Sequence, residues 1–263
     1  MSVDRDPSFL VPPAGLSSDV KIATTPPLVE FLYYPGQDYP GNPWSVWGDS
    51  LAVGDKYYSA IGDHIGPSGN AFVYEYDRTR KTIRRIVDLK QLLKLPAGHY
   101  TPGKIHSRID MGRDGWLYFS THRGSTRVTI DRYHYTGDWI VRHHPGRGKT
   151  EVVVRGPVPG HCIPSSVLDP DRMIFYGGTA SGDRTDKTIM FFAYDIRKRK
   201  VLHSVPAGPY RYMILARSTG RIYYCNSDRG PLMRYDPSTG RAPVKIAGAI
   251  GLWSATQETS DGY

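Results

Sequence analysis

Two histidines, His106 and His122, bracket the stretch PGKIHSRIDMGRDGWLYFSTHRG at residues 102–124, with Arg108 and Arg123 beside them. An imidazole titrates near neutrality, so a pair of them suits taking a proton from one atom and giving one to another. Arginine holds a carboxylate through a charge-assisted, often bidentate contact. Proton transfer next to a held carboxylate is what β-elimination from a uronate requires. The carboxylate must be neutralised, the adjacent carbon deprotonated and the leaving oxygen protonated.

That chemistry needs the two histidines close together, and the local pattern supplies a way. Residues 105–111 read as a strand, Arg113-Asp114-Gly115 as a turn, and Trp116-Leu117-Tyr118-Phe119 as a second, aromatic strand. His106 and His122 then stand at the open end of a hairpin, opposite its turn.

The hairpin belongs to a longer pattern. A polar or glycine turn followed by an aromatic strand recurs in GDKYYSAIGD (54–63), DGWLYFSTHR (114–123), DRMIFYGGTA (171–180) and GRIYYCNSDR (220–229). A second marker follows in three of these units: FVYEYDRTRK, FFAYDIRKRK and LMRYDPSTGR. In the remaining unit TEVVV supplies the fourth strand. Units of roughly 45–60 residues with four strands each are β-propeller blades. The fold expected is therefore all-β, a propeller of four-stranded antiparallel blades at about 43–95, 104–157, 163–206 and 210–248. Residues 1–26 are read as an N-terminal extension, and 27–36 as a lone strand completing a last blade. Residues 251–263 are read as the start of a fifth blade, so the chain reads as the N-terminal part of a six- or seven-bladed propeller. Only VDLKQLLKL (87–95) has helical spacing.

In such a meander the start of each innermost strand and the end of the next share one face. On that face the reading collects Trp44, Trp47, Asp63 and His64 from blade one. Blade three adds His161, Cys162, Asp183 and Arg184, and blade four adds Tyr210, Arg211, Tyr212, Asn226, Asp228 and Arg229. His106, His122 and Tyr210 are the catalytic candidates. Arg108, Arg123, Arg184, Arg211, Arg229, His64 and Trp47 are the substrate-binding ones. Trp44, Trp47 and Trp253 offer flat faces to sugar rings. His99, His134, His143, His144 and His203 are read as structural.

The stretch KIHSRIDMGRDGWLYFSTHRG in its propeller frame resembles the propeller polysaccharide lyases that cleave ulvan and similar uronate polymers. Oligogalacturonate lyases are more distant relatives. The resemblance implies a histidine pair, a tyrosine and an arginine at the channel mouth. His106 and His122 fall on the histidine positions and Arg184 on the arginine. The tyrosine has no clear counterpart, since PGHCIPSS (159–166) stands there.

Other chemistries remain open on this face. A non-catalytic propeller would bind a ligand or protein with the same residues. A glycoside hydrolase would need two carboxylates, with Asp63, Asp183 and Asp228 available. A metal-dependent lactonase-type enzyme is weaker still. His161, Cys162 and Cys225 are ligand types suited to zinc, without CxxC or HExxH spacing, and no cofactor is required by the sequence. Two cysteines cannot make a disulfide framework, and free thiols are the default.

The charge narrows the partners. With 34 Lys and Arg against 25 Asp and Glu, the formal charge of +9 favours an anionic partner. The densest basic run, Arg78–Arg85, reads as a solvated outer strand, so an acidic polysaccharide or oligosaccharide is expected rather than nucleic acid. No run approaches the roughly 20 apolar residues of a membrane span. The N-terminus lacks a signal-peptide pattern, so if Met1 is the true start a cytoplasmic location is expected.

Overall fold

The structure, a computed structural model, describes residues 2–36, 46–182, 186–209, 211–227, 229–250 and 258. It is all-β, with four four-stranded antiparallel sheets following one another along the chain. A short ribbon comes first, β1 (Ser2–Asp4) paired with β2 (Val29–Phe31). Blade one is β3 (Leu51–Val53), β4 (Lys56–Gly62), β5 (Ala71–Asp77) and β6 (Thr82–Asp88). Blade two is β7 (Asp110–Met111), β8 (Leu117–Ser120), β9 (Trp139–His144) and β10 (Lys149–Arg155). Blade three is β11 (His161–Asp169), β12 (Ile174–Ser181), β13 (Met190–Asp195) and β14 (Lys200–Pro206). Blade four is β15 (Ile214–Ala216), β16 (Arg221–Cys225), β17 (Leu232–Tyr235) and β18 (Val244–Ile246).

Alternating side chains give each sheet two faces, and the blades bury those faces against one another. Tyr58, Ala60 and Val73 of blade one meet Leu117, Phe119 and Val141 of blade two. Tyr118 and Ile140 meet Ile163, Phe175 and Phe192 across the next interface. Tyr176 and Phe191 meet Leu215, Ile222 and Tyr224 across the last. Stacked meanders sharing successive cores are a β-propeller arrangement. Blades two and three are also joined directly: Leu168 N donates to Asp110 Oδ2 at 2.9 Å, and Ser120 Oγ to Ile163 O at 2.9 Å.

One expectation changes and another is left outside the described residues. The strand expected at 27–36 does not complete a blade among the described residues, because Val29–Phe31 pairs with Ser2–Asp4. The segment instead caps the far face of blade one. Tyr34 packs on Tyr74 at 4.7 Å and donates to Ser59 Oγ, while the Tyr74 hydroxyl donates to Pro35 O. Tyr34 thereby packs against the apolar cluster of Ile61, Phe72 and Tyr74 on blade one. The strand expected to begin a fifth blade at 251–263 lies outside the described residues, apart from Glu258. The helical spacing at 87–95 yields one short helix, α1 (Leu89–Leu93), capped by Asp88, whose side chain accepts from Gln91 N.

The basic run of blade one is solvated and paired. Arg78 meets Asp55, Arg80 meets Asp77, Lys81 meets Glu30, Arg84 meets Glu75 and Arg85 meets Asp88.

Inter-blade aromatic packing carries the stability. Phe191 is fully buried, 5.2 Å from the Tyr224 ring and 5.1 Å from that of Tyr235. Phe191→Ala is expected to cost about 3–5 kcal/mol in urea unfolding. An unchanged midpoint would show that blades three and four are not coupled through this ring.

Candidate functional site

The ladder between β7 and β8 breaks on the way to the open end of the hairpin. Asp110 pairs with Tyr118, and Lys104 bridges His122, but residues 105–109 leave the ladder. Ser107 Oγ fills the gap, donating to Ser120 O and accepting from Ser120 N. The uninterrupted strand expected over 105–111 is thus shortened to Asp110–Met111, and the break releases His106. Its ring reaches blade three, where Nδ1 lies 2.9 Å from Pro164 O. A carbonyl only accepts, so Nδ1 carries the proton and Nε2 keeps a free lone pair.

The two histidines are neighbours, with ring centroids 5.6 Å apart and nearly edge to face. His64 joins them by a close backbone approach. His64 N donates to Gly103 O, and a Cβ on Gly124 would lie 2.7 Å from His64 Cα. Only glycine permits that contact, so Gly103 and Gly124 are what bring blade one's His64 to the pair. Trp47, exposed at the rim, stacks parallel to His106 at 6.2 Å, with the Lys104 amine 5.3 Å from its ring.

Burial and the neighbouring cations act in the same sense here, opposed at His106 by its bond to Pro164 O. Burial lowers the basicity of His106, and Arg211 and Lys104 lower it further. Burial also holds His122 well below the ordinary imidazole range, reinforced by His106, Arg123 and Lys104. Its Nδ1 has no hydrogen-bond partner among the described residues. His64 falls to about 4, through burial and then Lys104. Lys104 itself falls to about 8, through burial and then Arg123 and Arg211. The result is neutral imidazoles among cations, a place that gains from an anion. Arg123 donates to Ser181 O of blade three and lines a cleft of about 350 Å³ with Thr126, Asp186 and Lys187.

Beneath these groups sits Asp138, fully buried at the start of β9. Its carboxylate accepts from Thr121 Oγ1 at 2.5 Å, from the Tyr100 hydroxyl at 3.1 Å and from the Tyr135 hydroxyl at 3.2 Å. Burial raises its pKa to about 6, against the three donating hydroxyls.

Other candidates fall elsewhere. Arg108 lies near Asp49 and Asp110, at 4.0 and 3.8 Å, so carboxylates already engage it. Arg229 is exposed beyond β16. Asp63 is turned inward, accepting from Ile65 N and Asn70 N. Tyr210, Arg184, Trp44, Asp183, Asp228 and Trp253 lie outside the described residues. The zinc trio does not assemble: His161 Nδ1 faces Thr179 Oγ1, while Cys162 Sγ donates to Ala180 O. Adjacent strand residues point to opposite faces, so this pair cannot close on one ion. Among the described residues no three His, Cys, Asp or Glu groups could hold a metal. Cys162 and Cys225 are both buried free thiols. His143 meets Thr150, and His99 stacks on His134, as structural residues do. Lys104 and Asp138 were not among the sequence candidates. Lys104 had a signal, since an extended chain puts residues 104 and 106 on one side.

No family model matches the sequence, and no curated protein matches it. Solved structures do share the fold. An oligogalacturonate lyase in complex with manganese aligns with TM-score 0.50 at 9% identity, over 81% of this chain and 55% of that one. An acylaminoacyl peptidase from Pyrococcus horikoshii aligns with TM-score 0.50 at 8% identity, over 82% and 34%. The β-propeller domain of the Trilobed protease from Pyrococcus furiosus aligns with TM-score 0.48 at 8% identity, over 80% and 59%. The chain spans less than two thirds of the length of these proteins, and the likeness is one of fold.

The lowered histidines set a pH dependence. His64 and His143, both at about 4, and His106, His122 and His161 bind protons more weakly when folded than at the unfolded value of 6.5. Their stability is fully present above pH 6.5 and is lost as pH falls toward about 4. Asp138 opposes them between about 4 and 6, as one group against five. Thermal unfolding is expected to drop steadily from pH 7 to 4.5. A flat profile would mean that these rings are protonated in the fold.

Proposed function

We propose that this face binds a uronate-containing polysaccharide and cleaves it by β-elimination. The observation that carries the reading is the meeting of His64, His106 and His122 with three cations: Lys104 bears on all three imidazoles, Arg211 on His106 and Arg123 on His122. Arg123 and Arg211 hold the substrate carboxylate and neutralise it. That lowers the barrier to removing the proton on the adjacent carbon. His106 Nε2 is the base, its tautomer fixed by the bond to Pro164 O. The C–H electron pair becomes the new carbon–carbon double bond as the glycosidic C–O bond breaks. Lys104, still protonated at neutral pH but weakened to about 8, gives the leaving oxygen its proton. His122 stays neutral beside His106, so the proton for the leaving oxygen comes from Lys104. Trp47 offers its exposed face to a sugar ring.

The neighbouring oligogalacturonate lyase holds manganese. The described residues of this chain do not offer a matching set of ligands, so no step runs through a metal. A propeller that binds the same polymer without cleaving it is the second reading, favoured by the engaged state of Arg108.

A lyase leaves an unsaturated uronate that absorbs in the ultraviolet, whereas a hydrolase does not. The chain should produce that absorbance from ulvan, oligogalacturonate or a glycosaminoglycan. His106→Ala should lower turnover on the order of 10²-fold or more, with unfolding unchanged. Binding without absorbance would support the non-catalytic reading. Full activity in His106→Ala, or a loss that only follows unfolding, would overturn the proposed chemistry.

A further inference from the structure

Blades one and three end their third strands in the same turn. Asp77 accepts from Arg80 N, and Asp195 accepts from Lys198 N in the same way. Lys81 and Arg199 then both take the left-handed conformation, at φ 51° and 52°. Their charges differ in company. Lys81 meets Glu30, whereas neither Arg197 nor Arg199 lies within salt-bridge distance of a carboxylate among the described residues. Arg199 donates to Val153 O at 3.3 Å and Arg197 to Asp171 O at 3.5 Å, both backbone carbonyls.

These two arginines open onto a cavity of about 560 Å³ between blades two and three, at the end opposite the histidines. Val153, Met173 and Ile196 give it an apolar floor. Every acid near it is already engaged. Glu151 is held by Arg142 and Lys149, Asp114 accepts from the Tyr118 hydroxyl, and Asp171 is shared by Arg113 and Arg217. Arg142 is also fixed over the Trp116 ring at 4.1 Å. Two guanidinium groups without carboxylates therefore face a cavity of ligand size with an apolar base.

The geometry points to a second ligand site here, for a small organic oxyanion whose phosphate or carboxylate meets Arg197 and Arg199. Its apolar body rests on Val153, Met173 and Ile196. The site is independent of the histidine cluster and of the chemistry proposed there.

Calorimetric titration with phenyl phosphate, and with inorganic phosphate alongside, tests it. Phenyl phosphate should bind one to one and more tightly than inorganic phosphate, and His106→Ala should bind it equally well. Arg197→Ala and Arg199→Gly should each weaken binding tenfold or more. Arg199→Gly should unfold no earlier than the parent, because glycine accepts the left-handed conformation without strain. Thermal unfolding therefore separates a lost ligand contact from a damaged fold. Parental binding in both arginine variants, loss of binding in His106→Ala, or no saturable binding at millimolar ligand would each overturn the site.

Discussion

The rest of the site hangs on one buried carboxylate. Asp138 is cut off from water, and an ionised carboxyl in that position is costly unless hydrogen bonds replace its hydration. Its three hydroxyl donors come from separate pieces of chain. Tyr100 lies on the connection from blade one, Thr121 just past β8, and Tyr135 on the loop before β9. The backbone extends the same hub, with Asp138 N donating to His161 O on blade three and Gly156 N donating to Asp138 O. Thr121 is the residue before His122. Fixing it fixes the entry of His122 and Arg123 into the channel mouth, while Ile163 N bonds to Thr121 O from the neighbouring blade. Asp138, whose carboxylate ties the connection from blade one to blade two and whose backbone reaches blade three, therefore also sets the positions of an imidazole and a guanidinium.

The distribution of charge follows a related logic. Exposed ion pairs such as Arg78 with Asp55 contribute about 0–1 kcal/mol each, whereas Arg80 and Arg84 meet the buried carboxylates of Asp77 and Glu75. These pairs cancel the local field, which removes that strand as an anion-binding surface. At the histidine face Lys104, Arg123 and Arg211 act in the same sense, each lowering the basicity of a neighbouring group. Burial is the larger effect on His106 and His122, and the neighbouring cations reinforce it. An anion arriving in the channel relieves the second effect and leaves the first, which makes proton affinity a direct reporter of occupancy.

The repeat was legible because strand alternation and turn chemistry are local. Aromatic runs after glycine or aspartate turns become β4, β8, β12 and β16, and the hairpin brings His106 and His122 together as its spacing requires. What was not legible is long-range. Nothing local distinguishes Asp138 in TGDWIV from an ordinary turn residue, since its burial depends on Tyr100, 38 residues away. The pairing of β2 with β1 rather than with a blade likewise depends on chain far from residues 27–36. The break in β7 depends on Ser107 bonding back to the Ser120 backbone, which alternation alone does not reveal. By contrast, strand alternation already separates His161 from Cys162, and the zinc reading fails on that local rule.

The proposed anion-binding face rests on neutral imidazoles lying among the cations Lys104, Arg123 and Arg211. NMR titration of the histidine ring nitrogens, with and without trigalacturonate, measures this directly. In the free protein His64 and His122 should protonate well below 6.5 and His106 below it, and adding the oligouronate should move them upward. Imidazoles that titrate near 6.5, or that ignore the oligouronate, would contradict the account.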